Sequence, residues 1–101
     1  MQFSVIIPAK NEKANLAKNL PQLDPVRTHF TLEVIVADGA STDGSIELAR
    51  EKADRVEVKT KQERETIAEG RNRGARVATG DILVSMDAGV IVDNPIRFFE
   101  V

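Results

Sequence analysis

The sequence predicts an α/β fold built on an open, mostly parallel sheet with helices on both faces. Three observations lead to this prediction. Short aliphatic runs alternate with segments of helical periodicity, the runs are apolar enough for buried strands, and proline or polar turns separate them. This alternation is typical of parallel strands joined by right-handed helical crossovers. No linker, low-complexity tract or repeat interrupts the 101 residues, so we expect one domain at most.

Four segments are predicted as strands. The first is closed by Pro8 and the second is rich in β-branched residues, as expected for buried strands. The third alternates charged and apolar residues, which indicates a half-exposed strand at or near a sheet edge. The fourth is an aliphatic run that ends in an acid. The predicted strands are residues 3–7, 32–37, 55–59 and 81–86.

Three segments between these strands are predicted as helices. In the first, apolar residues recur at three- and four-residue spacing until Pro21 stops it. We expect Ser41 and Thr42 to supply the N-cap of the second, with Asp43 at its positive end. A fourth, proline-initiated helix begins at Pro95. The predicted helices between strands are residues 10–20, 46–52 and 65–79.

Composition excludes several functions. The formal net charge of −2 gives no reason to expect nucleic acid or an anionic membrane as a partner. The absence of cysteine excludes disulfides and thiolate chemistry, and the lack of Trp and Tyr removes the stacking surfaces of single-strand nucleic-acid binders. No apolar run reaches the ~20 residues of a membrane span. We therefore expect a cytoplasmic location.

Polar turns follow three of the predicted strands, and each turn carries an acid. Glu12 follows the first strand, Asp38 the second and Asp87 the fourth. In open α/β sheets, ligands bind beyond the carboxyl ends of the strands. Three acids there exceed what helix capping requires, although Asp, Ser and Gly are also ordinary turn residues. The sequence therefore favours a ligand site at this edge.

The turns argue against two common phosphate-binding loops. The first turn, P-A-K-N-E, lacks the glycines of a dinucleotide fingerprint, and the chain has no Walker A loop. Carboxylates can instead accept hydrogen bonds from a base and a ribose, and Asp87 can hold a cation beside phosphate. We therefore expect a nucleotide bound through side-chain carboxylates.

Three motifs together resemble the nucleotide-binding half of family-2 glycosyltransferases of the GT-A fold. They stand in the family's order across most of residues 3–92, as SVIIPAKNE, EVIVADGASTDGS and AEGRNRGARVATGDILVSMDAG. The resemblance implies the strand order 3-2-1-4. It also implies an enzyme that binds a UDP- or GDP-linked sugar donor for inverting transfer to an acceptor that these residues do not identify.

The resemblance also implies roles for single residues. Asp38 matches the acid that accepts a hydrogen bond from the base imide, whereas Asp43 matches a residue that caps the second helix and holds the loop. Arg71 would lie near the phosphates, although charges on a helix often form only a solvated face. The implied nucleotide-binding residues are Pro8, Ala9, Glu12, Asp38, Gly70, Arg71, Asn72 and Asp87.

The segment Asp87-Ala88-Gly89 occupies the place of the family's D-x-D motif, which holds Mg²⁺ or Mn²⁺ against the diphosphate. Gly89 replaces the last acid, and three explanations stay open. Asp93 or another group completes the metal site, Arg71 or another cation balances the diphosphate, or catalysis has been lost.

The acceptor half of such enzymes carries the general base, and we find no place for it in residues 1–101. Ile96, Phe98 and Phe99 have little following sequence to pack against. We therefore expect a fragment or partial chain that is inactive alone. Its full-length protein could lie at the cytoplasmic face of a membrane, although these residues do not indicate it.

Three other classes were compared with the transferase. A non-catalytic nucleotide-sugar-binding module is supported by Gly89 and the missing base. A nucleotidyltransferase is disfavoured because the first turn lacks a glycine- and arginine-rich loop. A phosphoacceptor receiver domain would need an acidic pair after the first strand, where only Glu12 and Lys10 stand.

Overall fold

The computed structural model describes residues 2–60 and 66–100 of the chain, and four strands lie in these ranges. All pair in parallel, in the order β3-β2-β1-β4, which confirms the predicted sheet and strand order. The strands are β1 (Gln2–Ala9), β2 (Thr31–Asp38), β3 (Arg55–Val58) and β4 (Ile82–Ser85).

Within the described residues, four α-helices and two short 3₁₀ helices connect and follow the strands. The α-helices are α1 (Lys13–Asn19), α2 (Ser45–Lys52), α3 (Ile67–Val77) and α4 (Pro95–Phe98). The chain continues from α1 into two 3₁₀ helices, Leu20–Leu23 and Pro25–Thr28. The α-helix therefore ends near Pro21, but the chain stays helical beyond it. None of the helices in the described ranges is long and apolar enough to cross a membrane.

Two helix starts differ from the prediction. α1 begins at Lys13 instead of residue 10, because Asn11 adopts a left-handed backbone with φ 52° and belongs to a turn. The predicted Ser41–Thr42 cap of α2 is wrong. The N-cap is Gly44, with φ 96°, and the Ser41 hydroxyl donates to Asp38 instead. Of the predicted helix 65–79, residue 65 lies outside the described residues.

The main core lies on one face of the sheet. Phe3, Val5 and Ile7 of β1 point to this face and pack with buried residues of α1, α2 and the two 3₁₀ helices. Phe99 joins them, only 1% exposed, with its ring centroid 5.3 Å from that of Phe3. Phe99 thus packs against residues that precede it in the chain, whereas Phe98 is 49% exposed.

The opposite face of the sheet is covered by α3. Gly70 and Gly74 are the buried residues of this helix. A Cβ at position 74 would lie 2.6 Å from Cγ2 of Ile6, so the missing side chain lets the helix approach β1 closely. This approach brings the first turns of α3 to the carboxyl end of the sheet.

Candidate functional site

A cleft of about 390 Å³ opens at the carboxyl ends of the strands. In the sheet, β1 has β2 on one side and β4 on the other, so the strand order reverses at β1. The cleft lies at this switch point, where open α/β sheets typically bind ligands. Its lining residues are Pro8, Ala9, Lys10, Glu12, Asn15, Ala37, Gly39, Lys59, Thr66, Ile67, Gly70, Asp87, Ala88 and Gly89.

The turn after β1 is tied to the loop after β2. The Asn11 amide donates to the Ser41 hydroxyl at 2.8 Å, and Oδ1 of Asn11 accepts from the Thr42 amide at 2.8 Å. The Glu12 amide donates to the Ser45 hydroxyl at 3.1 Å. These bonds fix Glu12 at the cleft, where its carboxylate accepts from Nδ2 of Asn15 at 3.2 Å.

Asp43 helps to hold this loop. Its carboxylate accepts from the Lys13 amide at 3.1 Å and from the backbone and hydroxyl of Ser45. The hydrogen bond from the Ser45 hydroxyl is the main cause that lowers the pKa of Asp43. These contacts are what a loop-holding residue would make, and Asp43 does not line the cleft.

Asp38 lies behind the wall of the cleft. Its side chain is fully buried, and its two oxygens accept from the amide of Ser41 at 2.7 Å and from its hydroxyl at 2.6 Å. The neighbouring Ala37 and Gly39 line the cleft instead. A contact between the Asp38 carboxylate and a base would therefore require the Ser41 loop to move.

Asp87 stands in a tight turn after β4. The Val90 amide donates to the Asp87 carbonyl at 3.0 Å, and Met86 and Ala88 are buried on either side of the exposed acid. A Cβ at Gly89 would meet only the Asn15 side chain, at 3.6 Å from Nδ2. The turn therefore presents one carboxylate to the cleft, with open space where the second acid is missing.

The structure brings together five of the eight predicted nucleotide-binding residues: Pro8, Ala9, Glu12, Gly70 and Asp87. Asp38, Arg71 and Asn72 do not line the cleft, and the last two are exposed on α3. Their predicted contacts with the nucleotide stay predictions.

Two lysines line the cleft that the predicted binding residues do not include: Lys59 was missed, and Lys10 was noted only as part of the first turn. Lys10 lies in the turn after β1, and Lys59 follows the end of β3. The rule that selected the three acids, proximity to a strand's carboxyl end, could have identified both lysines. The cleft therefore has cationic as well as anionic side chains.

A divalent cation would find only part of its coordination shell in the protein. Residues 2–60 and 66–100 contain no group of three or more acidic, histidine or cysteine side chains that could hold a metal. Asp87 can supply one or two oxygens, and Asp93, although exposed, does not line the cleft. Mg²⁺ or Mn²⁺ fits here only when phosphate oxygens and water complete the coordination.

The strand order and the acid-bearing cleft define this domain as one of the GT-A glycosyltransferase class, which comparison with solved structures supports. The structure of a mannosyltransferase from Pyrobaculum calidifontis, in complex with GDP-Man and Mn²⁺, matches 95% of this chain and 30% of its own, with a TM-score of 0.74 and 31% identity. Glucosyl-3-phosphoglycerate synthase from Mycobacterium tuberculosis, in complex with Mn²⁺, UDP and glucosyl-3-phosphoglycerate, matches 96% of this chain and 37% of its own, with a TM-score of 0.78 and 26% identity.

The chain belongs to glycosyl transferase family 2, whose family model matches residues 4–94. A glycosyltransferase of Bacillus subtilis, YfnE, described as uncharacterized, is 40% identical over 93 residues, or 90% of this chain and 24% of that protein. Dolichol-phosphate mannosyltransferase of Pyrococcus furiosus is 33% identical over 90 residues, or 87% of this chain and 26% of that protein. The chain thus spans about a quarter of the length of these curated relatives.

Proposed function

We propose that residues 1–101 are the donor-binding part of a glycosyltransferase that transfers a sugar, with inversion, from a UDP- or GDP-linked donor. The observation that carries the proposal is the cleft at the switch point of a GT-A sheet, with Glu12 and Asp87 on its lining. The relatives solved with UDP or GDP-Man and Mn²⁺ support the same ligand class. The acceptor and its general base would belong to parts of the enzyme outside these residues.

The cleft can be divided by chemistry. Among the lining residues, Pro8, Ala9 and Gly39 offer apolar side chains and backbone, which suit the flat face of a base. Glu12 can accept hydrogen bonds from ribose hydroxyls. The predicted role of Asp38 as the imide acceptor remains part of the proposal, and it requires the rearrangement of Ser41 described above.

The diphosphate would lie toward Asp87 and Gly70. Two negative phosphates in a cleft need cations, and Lys10 and Lys59 on the lining can supply part of that charge. Mg²⁺ or Mn²⁺ held by Asp87 would stabilise the negative charge that develops on the leaving nucleoside diphosphate. The protein's own contribution there is to hold the Asp87 carboxylate in place and to leave room for phosphate oxygens. The cytoplasmic location stays a prediction from composition.

Calorimetry with the 101-residue chain tests this proposal. UDP or GDP should bind more tightly than NAD, because the turns carry acids and lack phosphate-cradling glycines. Mn²⁺ should tighten nucleotide binding in the wild type and much less in Asp87→Asn, whose amide is a poorer metal ligand. Asp24→Asn is the matched control, since Asp24 is an exposed acid that does not line the cleft. Asp93→Asn tests the alternative metal ligand.

Tighter binding of NAD than of both UDP and GDP would contradict the donor class. Equal nucleotide affinities with and without Mn²⁺, in both the wild type and Asp87→Asn, would leave Asp87 as a turn residue. The second candidate, a nucleotide-sugar-binding module without catalysis, is favoured by Gly89. It predicts nucleotide binding without any transfer when the whole protein is assayed with acceptors.

A further inference from the structure

We propose that Asn19, assisted by Gln22, is a positioning residue that sets the place of the Asp87 carboxylate at the cleft. Its consequence for ligand binding rests on the proposed function, but its structural part does not. Asn19 is the last residue of α1 and is fully buried, 68 residues before the acid it holds.

The side-chain amide of Asn19 forms hydrogen bonds with both the first and the last residue of the turn Asp87–Val90. Its Nδ2 donates to the Val90 carbonyl at 2.7 Å and to the Asp87 carbonyl at 3.4 Å. The Val90 amide donates to the same Asp87 carbonyl, so one side-chain nitrogen gathers the turn's first and last residues. Two carbonyl acceptors require a donor with two N–H groups, which an amide provides and a carboxylate or an aliphatic side chain of similar size does not.

Burial of an amide at this position is costly for the fold. Asn19 lies beside Leu16 and Leu20, which are core residues, and its Oδ1 has no hydrogen-bond partner among the described residues. A buried polar group without a partner is unfavourable, so a leucine here would serve packing better than half-satisfied asparagine. The hydrogen bonds to the Asp87 and Val90 carbonyls are what this side chain offers in place of apolar packing.

Gln22 reinforces the same turn from the following 3₁₀ helix. Its Nε2 donates to the Val90 carbonyl at 2.8 Å, and its Oε1 accepts from the Val92 amide at 2.8 Å. Asn15, in the first turn of α1, lines the cleft and donates a hydrogen bond to the Glu12 carboxylate. One helix therefore links the turn after β1 to the turn after β4, and fixes the separation of Glu12 and Asp87.

The first test uses the protein without ligand. In a heteronuclear NMR spectrum, Asn19→Leu should shift the amide signals of residues 87–90 and speed hydrogen exchange of the Val90 amide. Gln22→Leu should do the same to a smaller degree, and it serves if Asn19→Leu does not fold. Ser4→Ala is the control, because Ser4 is a fully buried, hydrogen-bonded residue near the opposite end of the sheet. Turn signals and exchange unchanged in the folded variants would overturn the proposal.

The second test measures the ratio of nucleotide dissociation constants without and with Mn²⁺. Groups that orient a metal ligand typically contribute about 10–100-fold to metal affinity. We expect Asn19→Leu to lower the Mn²⁺-dependent gain about tenfold, toward that of Asp87→Asn, with a smaller change in metal-free affinity. The double variant should lose no more than Asp87→Asn alone, since both act through one carboxylate.

The outcomes separate the two proposals. A melting temperature lowered as in Ser4→Ala, with the Mn²⁺-dependent gain intact, would show that Asn19 is only structural. If the wild type bound neither UDP nor GDP, the proposed function would fail. The ligand-free spectra would still decide whether Asn19 and Gln22 hold the turn.

Discussion

Substitution of Gly74 by alanine would test how closely α3 must approach the sheet. The new Cβ would lie 2.6 Å from Cγ2 of Ile6 and 3.5 Å from Cβ of Ala37. Ile6 is β-branched and only 2% exposed, so its methyl group cannot turn away without disturbing the sheet. The helix must therefore move outward or the core must distort.

Overpacking of this kind costs roughly 1–3 kcal/mol. Alanine recovers up to about 1 kcal/mol, because glycine is a poorer helix former in a helix interior. A contact of 2.6 Å lies at the severe end of such overpacking, about 2–3 kcal/mol, so we expect Gly74→Ala to lower the free energy of unfolding by about 1–2 kcal/mol. For a chain of this size, that corresponds to a loss of roughly 4–16 °C in melting temperature. Nucleotide affinity should also fall, since Thr66, Ile67 and Gly70 of the same region line the cleft.

Urea denaturation followed by circular dichroism measures this cost. Gly89→Ala is the matched control: its Cβ would meet only the Asn15 side chain at 3.6 Å or more, and the change should lie within ~0.5 kcal/mol of wild type. Removal of the obstructing methyl group in Ile6→Ala should make Gly74→Ala less costly than it is alone. A Gly74→Ala variant as stable as wild type would refute the close approach of α3.

Two further perturbations concern charge. Burial acts to raise the pKa of Glu33, but hydrogen bonds from Thr79 and Ser4, with the charge of Arg55, together outweigh it and lower the pKa. The stability this supplies is present above the unfolded value of 4.5 and is lost as pH falls through the lower folded pKa. In acid denaturation, Glu33→Gln should therefore show less loss below pH 4.5 than wild type; identical profiles would contradict it. Gly89→Asp should tighten Mn²⁺ binding measured by calorimetry, because the position is open toward Asn15 and a second carboxylate adds ligand oxygens. Unchanged Mn²⁺ affinity in a folded variant would argue against a metal at this turn.

The sheet could be predicted because its signals are local. β1 and β2 each contain an uninterrupted aliphatic run, residues 5–7 and 34–37. The alternation of charged and apolar residues in Arg55–Val58 indicates an edge strand, as β3 is. The start of α1 could not be predicted in the same way. Lys10 and Asn11 are compatible with a helix, and only the bonds between Asn11 and the loop after β2 select the turn.

The site was predictable where it depends on strand ends and less so where it depends on neighbours. Glu12 and Asp87 lie at the cleft because each stands in the turn that follows a strand, three residues after β1 and two after β4. Asp38 is the last residue of a strand, but its two oxygens accept hydrogen bonds from Ser41, three residues later. The support that Asn19 gives to the Asp87 turn joins residues 68 positions apart, and no local spacing indicates such a contact.

The parallel pairing of β1 with β4 has a consequence for the order in which the chain can fold during synthesis. Phe3 pairs with Ile82, so β1 can pair with β4 only after most of the described chain has been synthesised. At about 5–20 residues per second, this delay lasts roughly 4–16 s on the ribosome. Pairing with β2 closes only one edge of β1 in that interval. Until β4 emerges, the backbone N–H and C=O groups on the other edge of β1, which carries the apolar Val5 and Ile7, can pair with strands of other chains.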